Sequence, residues 1–235
     1  MRADRGIDSP KDLEGKTLST GSYNSIISVY TRGFLQHRYG VDVSTIRWLL
    51  NGPGPFPIHD TSIQVDYATG PAKSAVQRLL DGEIDGSTGD ITESAMWTAL
   101  ESRTGEVKRM IPDYLAANER LLCDDGIYTP VHVIAIGNRL TKAHPEIART
   151  LLEGFQRSKE IAIDDALGDG TSFSLNIANR EHFRDQYRQT GDHYPYGVAK
   201  NRTVIDLALD YCHEQGVTQT RLSVEQVFAP GTLEN

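Results

Sequence analysis

Residues 9–26 read Ser9-Pro10-Lys11-Asp12-Leu13-Glu14-Gly15-Lys16-Thr17-Leu18-Ser19-Thr20-Gly21-Ser22-Tyr23-Asn24-Ser25-Ile26. Ser9 is a helix-capping type, Pro10 suits the first helical position and Asp12 puts an acid in the first turn, so the segment opens with one helical turn that Gly15 ends. Residues 16–20 then form a short strand. Gly21-Ser22-Tyr23-Asn24 turns into a helix, which the spacing of Ile26, Ile27, Tyr30 and Phe34 carries to about Tyr39, with Gly40 placed to close it. A strand that passes through a glycine turn into an amphipathic helix is the βα step of a layered α/β protein.

The step repeats outward. Residues 46–50 predict a second strand, the breakers in Asn51-Gly52-Pro53-Gly54-Pro55-Phe56-Pro57 exclude regular structure, and residues 63–67 alternate as a third strand. A helix over 74–80 stops at Asp81-Gly82, and Glu83-Ile84-Asp85-Gly86 enters a further strand. Helices follow over 92–103 and 112–123, with a strand at 106–111 between them. Residues 131–136 are nearly all apolar and predict a buried strand. Pro145 opens a long helix with the stripe Ile147, Leu151, Phe155 and Ala162. Another helix covers 180–187. Asn201 or Thr203 caps a helix that Gly216 closes, and Ser223-Val224-Glu225-Gln226 is a capping box. Alternating strands and helices predict the α/β class with a mainly parallel sheet, whose ligands sit at the carboxyl ends of the strands.

Composition narrows the function. The 235 residues carry 24 Lys and Arg against 32 Asp and Glu, a formal charge of −8, with no basic block, which argues against nucleic acid as a partner. No apolar run reaches the roughly 18–20 residues of a membrane span, and the first residues lack the apolar stretch of a signal peptide, so the expected location is cytoplasmic. Cys123 and Cys212 have no metal-ligand spacing and read as free, buried thiols. No phosphate loop, dinucleotide fingerprint, His-Glu-x-x-His or Gly-x-Ser-x-Gly occurs, so neither a cofactor nor a metal is expected.

Several pieces, taken in order, carry a resemblance: Ser9-Pro10-Lys11-Asp12-Leu13-Glu14-Gly15-Lys16, Thr31-Arg32-Gly33-Phe34-Leu35 with Tyr39-Gly40-Val41, and Leu79-Leu80-Asp81-Gly82-Glu83-Ile84-Asp85. Ile111-Pro112-Asp113-Tyr114, Pro130-Val131-His132-Val133, Tyr194-Pro195-Tyr196-Gly197 and Glu214-Gln215-Gly216 follow. From Gly6 to Phe228 this order resembles the 4,5-dihydroxyphthalate decarboxylase family, within the class II periplasmic-binding-protein-like two-lobe fold. The resemblance implies that lobe I is incomplete on its N-terminal side. Residues 1–11 would be a truncated crossover segment, 12–105 a central lobe with a mixed sheet, and 106–235 a return to lobe I. A homo-oligomer or a complementing N-terminal chain would then be a partner, and a leader in a missing segment would make the location periplasmic.

The candidate site residues each have a plainer reading beside the functional one. Ser22, Tyr23 and Asn24, at a strand-to-helix junction, suit a carboxylate and equally suit helix capping. Arg32, opposite the Ile26/Tyr30/Phe34 stripe, is a solvated arginine by position and a carboxylate clamp by resemblance. Ser87 and Thr88, with Asp90 beyond them, follow a strand and read as ligand contacts or as turn chemistry. His132, within an apolar run, is a core histidine or the acid that protonates a ring carbon. Tyr196 lies in the Pro-Tyr-Gly piece; His59 and His193 read as loop residues. The resemblance implies a cofactor-independent decarboxylase of a small aromatic dicarboxylate held between the lobes, with Ser22, Arg32, Ser87 and His132 lining one cleft. The alternative is a solute-binding protein of an uptake system for small organic anions, since one cleft serves both.

Overall fold

Strand β1 (Thr17–Thr20) lies between β2 (Arg47–Leu50) and β4 (Gly86–Thr88), and β3 (Gln64–Tyr67) pairs outside β2. The order is β3-β2-β1-β4 and every pairing is parallel, so the mixed sheet expected for 12–105 is a parallel one. The computed structural model describes residues 1–88, 94–102, 105–123, 125–129, 132–168, 177–192 and 194–235, except the side chains at 177–179 and 190. The chain divides into two units, Met1–Glu119 with Leu207–Leu222, and Arg120–Asp206 with Ser223–Asn235.

The first unit is layered as the βα steps require. Side chains alternate along a strand, so Leu18, Trp48 and Leu50 share one face of the sheet while Ser19 and Leu49 share the other. Helix α1 (Ile26–His37) covers the first face, where Leu18, Tyr23, Leu35, Trp48 and Leu50 form one buried cluster. Helices α2 (Ala75–Leu80) and α3 (Ser94–Glu101) cover the second, where Val76, Leu79, Ile84 and Met96 gather against Leu49. The inward side of α1 is Val29, Tyr30, Arg32, Gly33 and Leu35, whereas Ile27, counted by its spacing into the core stripe, is exposed. The strand expected at 106–111 is reduced to one antiparallel bridge between Val107 and Arg2. Helix α4 (Tyr114–Cys123) follows.

The second unit holds α5 (Asn138–Ala143), α6 (Ile147–Leu167), α7 (Ile177–Thr190), the start of α8 (Val198–Glu214) and α9 (Val224–Val227). Among the described residues it contains no strand. Of residues 131–136, expected as a buried strand, those described, 132–136, are irregular, and Val133 and Ile134 are exposed. The inward residues of α6 include Ala148 and Ala166, while Leu151 and Phe155 of the expected stripe face outward. Helix α8 begins earlier than its expected caps. Asn201 stands inside it and closes the preceding turn by donating to the carbonyls of Pro195 and Gly197, at 2.7 and 2.8 Å. The Ser223 capping box forms as expected. Both cysteines are free, Cys212 half-buried and Cys123 exposed rather than buried. Among the described residues no helix is long and apolar enough to cross a membrane.

The turn after α2 carries a pH dependence. Lys73 donates to Asp81 at 2.6 Å and to Glu83. The Lys73 ammonium, aided by Gln77, holds the Asp81 carboxyl below its ordinary 3.8, and the same ammonium, aided by Arg78, holds Glu83 below 4.5. A carboxyl depressed in the folded state contributes stability that is complete above its ordinary value and lost as pH falls through the depressed one. Lys73→Met is therefore expected to move the midpoint of acid unfolding, followed by circular dichroism, to higher pH. An unmoved midpoint would mark these as solvated pairs of no net consequence.

Candidate functional site

The sheet order reverses at β1, since the chain moves outward through β2 and β3 and then crosses back to β4. The carboxyl ends of β1 and β4 flank this switch point, the place where open parallel sheets bind ligands. Ser19 stands in register with Ser87, and Thr20 with Thr88. Beyond β1 the chain turns through Gly21 and half-buried Ser22. The Ser22 carbonyl accepts from the Ser25 amide and hydroxyl at 3.4 and 3.2 Å, and Ser25 caps α1 by accepting from the Ser28 amide at 3.2 Å. Asn24 reaches the Phe56 carbonyl at 3.4 Å. Among the described residues, the buried atoms Ser19 Oγ, Asn24 Oδ1 and Thr88 Oγ1 have no hydrogen-bond partner.

A recess of about 260 Å³, open solvent included, lies at this edge and is lined by Ser19, Thr20, Gly21, Leu49, Asn51, Ala75 and Arg78. Arg78 is only 5 % exposed. Its Nη1 donates to Glu83 Oε2 at 2.7 Å and its Nη2 to Asn51 Oδ1 at 3.3 Å, while its Nε has no partner among the described residues. The sequence reading passed over Arg78, and periodicity offers no signal for it, because α2 buries this arginine and exposes Leu80 beside it.

Arg32 lies on the other face of the sheet and is fully buried, not solvated as its place on the helical wheel implied. Its guanidinium rests 3.9 Å from the centre of the Tyr23 ring. Nε donates to Gln215 Oε1 at 2.8 Å and Nη2 to the Tyr23 carbonyl at 2.7 Å. Burial lowers the Arg32 pKa to about 10. Gln215 in turn donates to the Val29 carbonyl at 2.9 Å, and its own carbonyl accepts from the Tyr23 hydroxyl at 2.6 Å. Burial raises the pKa of that hydroxyl. Next along the chain, Gly216 has a φ of 68° and sits against the His59 carbonyl, 2.7 Å from where a Cβ would stand.

In the second unit His132 is exposed on the irregular segment 132–137. Tyr196 is 42 % exposed, with Lys159 Nζ 4.6 Å from its ring centre. The stem of Lys159 is buried and its ammonium pairs with Asp192 at 2.5 Å. Tyr128 meets Tyr194 edge-on at 4.8 Å, and burial first, then Tyr194, pushes the Tyr128 hydroxyl up to about 12. Thus Ser22, Tyr23, Asn24, Arg32, Ser87 and Thr88 belong to the first unit, His132 and Tyr196 to the second. Asp90 and His193 lie outside the described residues.

No family model matches the chain. A 4,5-dihydroxyphthalate decarboxylase of Comamonas testosteroni is 30 % identical over a 243-residue alignment that covers the whole of this chain and 72 % of that protein. The chain belongs to the 4,5-dihydroxyphthalate decarboxylase family. A second protein of that name, from Pseudomonas putida, is 36 % identical over 52 residues, 22 % of this chain and 20 % of its own.

In this member of the decarboxylase family two of the resemblance motifs meet. Arg32 and Gly33 of Thr31-Arg32-Gly33-Phe34-Leu35 face Gln215 and Tyr211, while Glu214 of Glu214-Gln215-Gly216 accepts from His37 at 2.7 Å when that ring carries its proton on Nε2. The motifs are 183 residues apart at the Arg32–Gln215 bond, so their pairing is a tertiary one that no local reading of either could show.

Proposed function

We propose that the protein is a decarboxylase of a dihydroxyphthalate-like aromatic dicarboxylate and works without an organic cofactor. The observation that carries this reading is the family relation over the whole chain. The parallel-sheet edge supports it, because it gathers hydroxyls and a buried guanidinium where such sheets take small anions. The electron-rich dihydroxy ring serves as its own electron sink. A proton adds to the ring carbon that bears a carboxylate, the bond to that carboxylate breaks with its electron pair returning to the ring, and carbon dioxide leaves. His132 is the proposed acid. Ser22, Asn24, Ser87 and Thr88 are the proposed polar contacts, Arg32 and Tyr23 support the turn that presents them, and Tyr196 is a further aromatic contact. The class II solute-binding-like fold, with lobes over 12–105 and 106–235, belongs to the same proposal.

The test is the release of carbon dioxide from 4,5-dihydroxyphthalate, with 3,4-dihydroxybenzoate as the co-product and no added metal, flavin or thiamine cofactor. Turnover is the expected result. Tight binding of the dicarboxylate with no carbon dioxide would sink the enzyme reading and favour the solute-binding one.

A further inference from the structure

We infer that Arg78 and Ser19 form the seat for one carboxylate of the substrate, in the recess at the carboxyl end of β1. For the identity of the ligand this rests on the decarboxylase reading; for the site it rests on geometry alone. Two observations independent of each other come from side chains that line the same recess. The first is the Arg78 guanidinium. Glu83 holds it at Nη1, whereas the edge made by Nε and Nη2 carries only the 3.3 Å bond to Asn51. That edge presents two parallel N–H groups, the geometry that a carboxylate accepts with both oxygens. The second is the Ser19 hydroxyl, on a residue 6 % exposed and without a partner among the described residues. A buried hydroxyl left unpaired costs stability, and a carboxylate oxygen would take its hydrogen.

Lys73 and Arg78 together balance Asp81 and Glu83, so the ion-pair network is not net negative before a ligand arrives. Leu49 and Ala75 supply apolar wall beside the polar floor. Asn51, which steadies Nη2, is the first residue after β2, so the arginine is oriented by the sheet itself. Its grip on Glu83 and Asn51 fixes the fork before a ligand arrives, and that preorganisation favours binding.

The test uses phthalate, which has both carboxylates but lacks the hydroxyls that let the ring accept a proton, so binding is read apart from turnover. Calorimetric titration of the whole protein is expected to give a Kd that Arg78→Met raises about 30-fold and Ser19→Ala about 5-fold, as loss of charge-assisted hydrogen bonds requires. Arg78→Lys should recover part of the loss. Ser19→Ala decides the matter if Arg78→Met fails to fold. A purely structural serine with an unpaired hydroxyl would leave Kd alone, whereas a ligand contact weakens binding while Tm stays the same or rises. Kd values for Ser19→Ala and Arg78→Lys both within twofold of the parent, or no phthalate binding by the parent, would overturn the inference. Arg78-dependent phthalate binding with no carbon dioxide from the dihydroxy compound would keep the seat and sink the enzyme reading. Turnover with unchanged phthalate affinity in the Ser19 and Arg78 variants would do the reverse.

Discussion

Alanine at position 33 is expected to destabilise the first unit by about 3 kcal/mol, at the upper end of the range for overpacking a filled core. Gly33 lies on the inward side of α1, and the Tyr211 ring rests directly on it. A Cβ there would stand 2.6 Å from Tyr211 Cγ and nearer still to Cδ2 and Cε2. The ring has nowhere to go, since His37 stacks on it at 5.2 Å and Phe34 and Tyr30 meet it edge-on at 6.2 and 6.5 Å. Urea unfolding would measure the loss. In a Tyr211→Ala background, which removes the ring, the same glycine-to-alanine change should cost almost nothing, because alanine is otherwise the better helix former. Equal costs in both backgrounds would place the strain somewhere other than the ring.

The second large effect concerns chemistry. His132→Gln is expected to lower kcat on 4,5-dihydroxyphthalate by about 100-fold or more, within the span usual for loss of a general acid, and to leave phthalate affinity within about twofold, because an acid acts in the transition state and not on the bound ground state. His132 is exposed on an irregular segment, so glutamine there removes no packing and Tm should hold. Stopped-assay carbon dioxide release and calorimetry separate the two quantities. A fall in affinity equal to the fall in kcat/KM would make His132 a contact residue instead of the acid.

The first three strands were legible because each short strand-like segment is bounded by breakers, and their ends differ from expectation by one residue, whereas the fourth, expected at Glu83-Ile84-Asp85-Gly86, runs over Gly86–Thr88, so Ser87 and Thr88 stand within the strand and not after it. The misreadings share one cause. Residues 131–136 have the composition of a buried strand, yet a strand exists only beside another strand that supplies its hydrogen bonds, and the described residues 132–136 pair with no strand. Arg32 and Arg78 were placed, or passed over, by helical phase, which ranks a cation as outward. Arg32 is held by an acceptor distant in sequence, Gln215, and Arg78 by Glu83 in the turn after its own helix together with Asn51 beyond β2. Local pattern encodes where helices and strands lie; the polar pairs that fill the space between them are set by tertiary neighbours.

The return of residues 207–222 to the first unit also sets an order of events during synthesis. At about 5–20 residues per second, some 183 residues of translation, roughly 10 to 40 s, separate the emergence of Arg32 from that of Gln215. Once Thr88 has emerged the sheet and α1 are complete in sequence, but the groove that takes Tyr211 stands open and the arginine lacks its Gln215 acceptor. The nascent chain thus displays an apolar helix face beside a cation it cannot bury, the kind of surface chaperones hold. A premature stop near the carboxyl terminus would accordingly damage the amino-terminal sheet, although every residue of that sheet had already been made.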